Sequence, residues 1–316
     1  MRLVEKIRTH EPVLLYGLTP PRIEKSENEV KEMADRTLSR LSGVRFDGLV
    51  IYDLQDESAR SPERPFEFSG CYAPERFYRE FLRQKHEAVI YRAVSNLTEE
   101  SFVNFIKNAD FPLVLVGSAS SSLKPTLSLQ RAYEMKKEHA KSLLLGGIAI
   151  SERHAKKGRE EHRIAQKVLN GCEFFITQAV FDLSLAKRFI DDLSLLSIKK
   201  PPLVFTFTPV GSRKTLEFVR WLGVSVPAFV EEQIFGEGEE KALEKSMEFC
   251  LKEFRFLRQY GMEKGVCVGA NVESVSGKKA EILGSIELLR KFGDSKFGVE
   301  AKREDEVRIS ASVPIL

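Results

Sequence analysis

Cysteine is sparse and scattered along this chain. Cys71, Cys172, Cys250 and Cys267 form no C-x-x-C pair and no zinc-like spacing. A disulfide framework and a thiolate metal centre are therefore not expected, and the thiols read as reduced in a cytosolic setting. No apolar run approaches the roughly 18 residues that span a bilayer. The opening "MRLVEKIRTHEP" has no long apolar stretch, so no signal peptide is expected and a cytoplasmic location is. No Lys/Arg block stands out: 49 basic residues face 46 acidic ones, a net charge of +3. That balance gives no footprint for nucleic acid. The G-x-G-x-x-G loop of dinucleotide folds and the G-x-S-x-G elbow of serine hydrolases are both missing. There is no low-complexity tract, no short repeat and no obvious interdomain linker.

What the chain does contain is an alternation. Eight short β-rich runs recur: "VLLYGL" (13–18), "GLVIYDL" (48–54), "EAVIYRAV" (87–94), "PLVLVGS" (112–118), "LLLGGIAI" (143–150), "EFFITQAV" (173–180), "PLVFTFTP" (202–209) and "GVCVGANV" (265–272). Between them lie amphipathic helical segments. "SENEVKEMADRTLSRL" sets Val30, Met33, Ala34, Leu38 and Leu41 at three- and four-residue steps. Thr98 reads as the cap of "LTEESFVNFIKN", and Asp182 or Ser184 as the cap of "SLAKRFIDDLSLL". "EKALEKSMEFCLKEFRFLRQYG" reads as a long helix closed by Gly261. Strands that are continuously apolar are buried on both faces, as in a parallel sheet covered by helices. Eight such units in 316 residues predict a single (β/α)8 TIM barrel over residues 1–316 with a short C-terminal tail. The runner-up is a doubly wound open sheet, against which the missing Gly-rich loop argues.

In such a barrel, active-site residues sit at the C-terminal ends of the strands. Polar residues gather there: Thr19, Arg92, Ser95, Asn96, Ser118, Glu152, Arg153, His154, Thr177, Gln178, Thr208, Asn271 and Glu273. The run "GLVIYDLQDESAR" ends in a polar knot that contains Asp53, Asp56, Glu57 and Arg60. The basic residues after "SERH" suit a phosphate or carboxylate ligand, although a solvated surface loop is the leading reading for Lys156, Lys157 and Arg159. His154 and His162 have no third nitrogen or sulfur ligand near them in sequence, so no metal is expected. Gln178 stands out because a core strand should carry an apolar residue there. Its amide suits a heterocycle edge such as a pterin or a flavin, or an internal bond to a neighbouring strand or loop.

Several of these segments, in order, resemble the methylenetetrahydrofolate reductase family. "YGLTPP" with Pro20 and Pro21 is similar to that family's first strand. "SERH" with Glu152 and His154 matches its fifth, "KVLNGC" with Lys167 and Gly171 its next helix, and "ITQAVFD" with Gln178 and Asp182 its sixth strand. "FTFTPVGSRKTLEFVRWLGVSVPAFV" resembles the seventh strand and the helix pair after it. The resemblance runs over about 13–292. It implies a barrel that reduces 5,10-methylenetetrahydrofolate to 5-methyltetrahydrofolate in one-carbon metabolism and methionine biosynthesis. FAD and NAD(P)H would be the cofactors.

Carried over position by position, the resemblance assigns Gln178 and Glu232 to the folate, joined by the strand-end Asn271, and Tyr91, Ser118, His154 and Lys167 to the flavin. It also implies a departure. The family's catalytic glutamate falls on Gly17, and the Arg and Asp of its flavin site fall on Val116 and Ser118. The expectation is a divergent reductase with a weakened flavin site, whose proton comes from another carboxylate at the mouth. Glu57 is the first choice, with Asp53 and Glu152 as rivals. The alternative is a folate- or nucleotide-binding barrel subunit without reductase activity of its own. The expected partners are a folate, and a second copy of the chain or a redox subunit, with neither nucleic acid nor membrane.

Overall fold

The computed structural model describes residues 2–55, 69–117, 125–157 and 159–294. Eight parallel strands close into a barrel in chain order. They are β1 (Leu14–Leu18), β2 (Gly48–Ile51), β3 (Ala88–Ala93), β4 (Leu113–Val116), β5 (Leu145–Ala149), β6 (Phe174–Ala179), β7 (Leu203–Phe207) and β8 (Val268–Glu273). The helices are α1 (Leu3–Arg8), α2 (Glu27–Leu41), α3 (Pro74–Phe77, running into a π-turn over Tyr78–Leu82), α4 (Glu99–Lys107), α5 (Leu129–His139), α6 (Ser151–Lys157), α7 (Glu160–Leu169), α8 (Leu183–Leu195), α9 (Arg213–Trp221), α10 (Ala228–Phe235), α11 (Glu239–Glu263) and α12 (Lys279–Asp294). Among the described residues no helix is long and apolar enough to cross a membrane.

The predicted barrel is therefore the observed fold, with all eight predicted strands in place. The expected caps also hold. Thr98 accepts from the Ser101 amide, and Asp182 accepts from the amides of Ser184 and Leu185. Two boundaries moved for physical reasons. β2 stops at Ile51 and not at Leu54, because the Asp53 side chain takes the Ala93 N–H at 2.7 Å where a backbone carbonyl would otherwise continue the ladder. α11 runs past Gly261 to Glu263. Gly261 lies inside the helix because Val268 of β8 packs where its side chain would be. The helix is ended by Gly265, whose φ of +69° favours a residue without a Cβ.

The alternation along each strand sorts side chains into two cores. Phe175, Phe205, Phe207 and Leu145 point outward to the helices. Leu15, Val50, Val89, Val114, Phe174, Ile176 and Val204 fill the barrel interior, together with Leu3 and Ile7 of α1. α1 closes the N-terminal end, held by Lys6 on Asp47 (2.6 Å) and by the Leu3 amide on Glu87 (2.6 Å). The opposite end is left for function.

Gly146 shows how tightly this interior is filled. A Cβ there would stand 2.5 Å from Cζ of the buried Phe174 ring. Gly146→Ala is expected to lower stability by about 1–3 kcal/mol in urea unfolding, with part of the loss recovered when Phe174→Leu is added. An additive double variant would reject the clash.

Glu253 of α11 is 5% exposed, and its Oε2 has no hydrogen-bond partner among the described residues. Burial pushes its carboxyl up to about 7, against the opposing charge of Lys252 and with the help of Asp182. Between its ordinary value of 4.5 and about 7, the folded state holds a proton that the unfolded chain has lost. Stability therefore falls as pH rises through that window. Glu253→Gln is expected to stabilise the protein at pH 8, by something on the order of 2 kcal/mol, and to change little at pH 4. Equal effects at the two pH values would reject this.

Candidate functional site

The C-terminal mouth is built on the closing seam of the barrel. β8 pairs with β1 so that Glu273 lies directly beside Gly17. With a period of two, Asn271 and Glu273 share the interior face of β8, and Leu15 and Gly17 share that of β1. A Cβ on Gly17 would stand 2.9 Å from Glu273 Cβ, 3.0 Å from its Oε2 and 3.0 Å from Cε2 of Tyr52. Gly17 has an ordinary φ, so its value here is space and not backbone freedom. The carboxylate of Glu273 occupies the volume that a side chain at position 17 would fill.

Around this carboxylate lies a polar lattice. The Thr208 hydroxyl reaches Glu273 Oε1 at 3.4 Å. Asn271 donates from Nδ2 to the Tyr52 hydroxyl (2.8 Å) and to Thr206 Oγ1 (3.2 Å). The Thr206 hydroxyl in turn donates to the Thr177 carbonyl at 2.8 Å. Tyr52 meets the Tyr91 ring edge-on, with centroids 4.9 Å apart. Burial pushes the Glu273 carboxyl above the ordinary glutamate value, against the polar pull of Tyr52, Thr208 and Asn271. Burial, and then the charge of Glu273, push the Tyr52 and Tyr91 phenols up as well. The side chain of Glu273 is only half-buried, so it stands at the boundary between the dry interior and the open mouth.

Gln178 is aimed by a bulge in β6. The pairing with β7 steps from Ile176–Val204 to Ala179–Thr206, so β6 carries one extra residue. Its Nε2 donates to the Leu222 carbonyl at 3.1 Å, which is the internal bond that a core-strand amide needs. Its Oε1 accepts no hydrogen bond among the described residues, and the side chain is half-buried. Glu152, buried at the start of α6, accepts from the Ser225 amide (3.3 Å) and from the Ser151 hydroxyl (3.3 Å). Gln178 and Glu152 together pin the segment 222–227 between α9 and α10.

Other expected site residues have different work. Asp53 Oδ2 accepts from the Ala93 amide of β3 at 2.7 Å, and burial raises its carboxyl above the ordinary aspartate value. Glu152 is likewise a brace for Ser225. His154 Nε2 is hydrogen-bonded to Asp192 at 2.6 Å, which ties α6 to α8, and its Nδ1 lies 2.9 Å from Glu161 of α7 without hydrogen-bond geometry. Lys167 donates to the Ile148 carbonyl at 2.6 Å under α7, and burial lowers its ammonium pKa. Tyr91 is a buried ring of the interior. Asn271 is fully buried, beneath the mouth and not at its surface, with Oδ1 unpartnered among the described residues. Glu232 is exposed on α10 and folds back on the end of its own helix, beside Gly236. Glu57 and Ser118 lie outside the described residues. Glu273 was visible in the sequence as a strand-end polar residue and received no role there. Only the register of β8 against β1 brings it to Gly17.

Barrels of this architecture often hold phosphate at the loops after β7 and β8. Here that place is filled from within. Glu281 of α12 is 2% exposed and accepts from the Gly211 amide (2.9 Å) and the Thr215 hydroxyl (2.9 and 3.0 Å) at the start of α9.

No protein-family model matches the chain, and no curated protein sequence does. Among solved structures, long-chain alkane monooxygenase (LadA) is similar over 93% of this chain and 94% of its own, with a TM-score of 0.51 and 11% identity. That likeness shows the barrel fold alone. A protein from Clostridium thermocellum is similar at 37% identity, with a TM-score of 0.80, over 92% of this chain and 99% of that one. That protein binds two copies of 5-methyl-5,6,7,8-tetrahydrofolic acid. At that identity over nearly the full length of both, the chain belongs to the same family of (β/α)8-barrel proteins as the Clostridium thermocellum folate binder.

Proposed function

We propose that the barrel mouth binds a reduced folate, and that the protein reduces 5,10-methylenetetrahydrofolate to 5-methyltetrahydrofolate with a dihydronicotinamide nucleotide as hydride donor. The observation that carries the folate part is the 37% identity, over 99% of its length, to a protein that binds 5-methyltetrahydrofolate. The geometry supports it. A pterin edge presents N–H donors, and Gln178 offers Oε1 from a rigid strand whose bulge aims it. The segment 222–227, pinned beside it, stands where it would help exclude water from a bound ring.

The reduction part rests on the Glu273 carboxyl at the mouth, which stands beside Gly17 and whose pKa burial raises. Opening the methylene bridge requires a proton at the departing nitrogen, and a carboxyl whose pKa burial raises is the better placed to supply one. Among the described residues, those that the resemblance assigns to FAD do not favour a flavin. His154 and Lys167 are engaged with their own chain, Tyr91 is buried edge-on to Tyr52, and position 116 is valine. We therefore route no step through a flavin. A second reading, a folate-binding barrel that does not reduce its ligand, is favoured by the same observation.

Calorimetric titration with 5-methyltetrahydrofolate is expected to show binding. Gln178→Ala is expected to weaken it by about 1–3 kcal/mol, the cost of a buried polar partner left unpaired, while the protein stays folded by circular dichroism. Unchanged affinity in the variant would remove Gln178 from the pterin site, and no binding by the native protein would sink the folate reading.

Incubation with NADH or NADPH and methylenetetrahydrofolate, with and without FAD, is expected to form 5-methyltetrahydrofolate equally in both. Protein incubated with FAD is expected to leave gel filtration colourless. Stoichiometric yellow protein would show that a flavin site exists. Binding without turnover under any donor would select the second reading.

A further inference from the structure

We propose that Glu273 is the proton donor of this site, supplied from β8 into the space that Gly17 leaves on β1. The proposal rests on the folate reading. Four observations carry it. The register places the two residues side by side, and a side chain at position 17 would collide with the Glu273 carboxylate and with Tyr52. One volume is thus shared by two strands, and only one of them can fill it.

The other described carboxylates at the mouth are committed. Asp53 holds the Ala93 amide, Glu152 holds Ser225 and Ser151, and Glu75 is paired with Arg92 at 3.3 Å. Glu273 is engaged only by the neutral hydroxyls and amide around it, with the Thr208 hydroxyl 3.4 Å from its Oε1. Finally, the groups that face it are neutral: Tyr52, Thr208 and Asn271, with Tyr91 behind Tyr52. None of these facing groups is a cation that would hold the carboxylate ionised. Burial then favours the protonated form.

The step balances without a further reagent. The O–H bond of the Glu273 carboxyl breaks and an N–H bond forms at the bridge nitrogen, N10. The bond from the methylene carbon to N10 breaks, and its electron pair stays on N10. The methylene carbon, now an iminium on N5, takes a hydride from C4 of the dihydronicotinamide, which is oxidised. Glu273 is left ionised and is reprotonated from solvent through the open mouth.

The test compares the native protein with Glu273→Gln, Glu273→Gly and the reciprocal exchange Gly17→Glu with Glu273→Gly. Each is titrated with 5-methyltetrahydrofolate and followed in single turnovers of methylenetetrahydrofolate with NADH or NADPH from pH 5 to 9. Glu273→Gln is expected to bind 5-methyltetrahydrofolate within about threefold of the native protein. Its hydride transfer is expected to slow by roughly 100-fold or more, the usual worth of a general acid, with a flattened pH profile. The exchange, which returns a carboxylate to the same volume from the neighbouring strand, is expected to recover at least tenfold over Glu273→Gly. Native-like turnover and pH profile in Glu273→Gln would overturn the proposal. So would native protein that binds 5-methyltetrahydrofolate and transfers no hydride, which leaves the folate site standing. Failure of the native protein to bind 5-methyltetrahydrofolate would instead overturn the reading beneath it.

Discussion

Closure of β8 onto β1 is the constraint on which the mouth depends. A parallel barrel of eight strands has no edge, so each strand's register is set by two neighbours at once. That double setting places Gly17 between Val50 and Glu273 with no freedom to slip. A slip of one residue would turn Leu15 and Asn271 out of the interior and bring apolar outward residues in. The juxtaposition of a glycine and a carboxylate is therefore enforced by the packing of Leu15, Val50, Phe174 and Val204 farther down the barrel.

The polar lattice above that packing is coherent in the same sense. Asn271 Nδ2, Thr206, Thr177 and the Tyr52 hydroxyl bond to one another across β8, β7, β6 and the residue just past β2. Buried hydrogen bonds of this kind add modestly to stability when made and cost more when broken. Their larger effect is to hold side chains from four strands in one arrangement. Glu273 sits on top of this platform among neutral partners, and Gln178 stands two strands away with its Nε2 bound to the Leu222 carbonyl and its Oε1 open. A platform that is rigid below and uncommitted above is what a ligand site needs.

The residues that a family pattern marks are not all residues that touch a ligand. Glu152, His154 and Lys167 match the methylenetetrahydrofolate reductase pattern, yet each is joined to its own chain: to Ser225, to Glu161 and Asp192, and to the Ile148 carbonyl. In this protein they brace the helices and the segment 222–227. A position can match a pattern because the scaffold needs it.

The (β/α)8 fold was legible in the sequence because its signals are local. Continuous apolar runs, amphipathic spacing and the caps at Thr98 and Asp182 are properties of short windows. Gln178 was also legible, since an amide in the run "EFFITQAV" breaks the local pattern. The end of α11 was not, because Gly261 and Gly265 look alike in sequence, and only the fold packs Val268 against the first and gives the second its positive φ. The sequence by itself determined that Gly17 has no carboxyl and that several acids lie at strand ends. It did not determine which acid stands beside Gly17. Glu273 lies 256 positions away along the chain, and no local signal connects the two. The hydrogen-bonded register of the closing strands makes them neighbours, because barrel closure brings the first and last strands together.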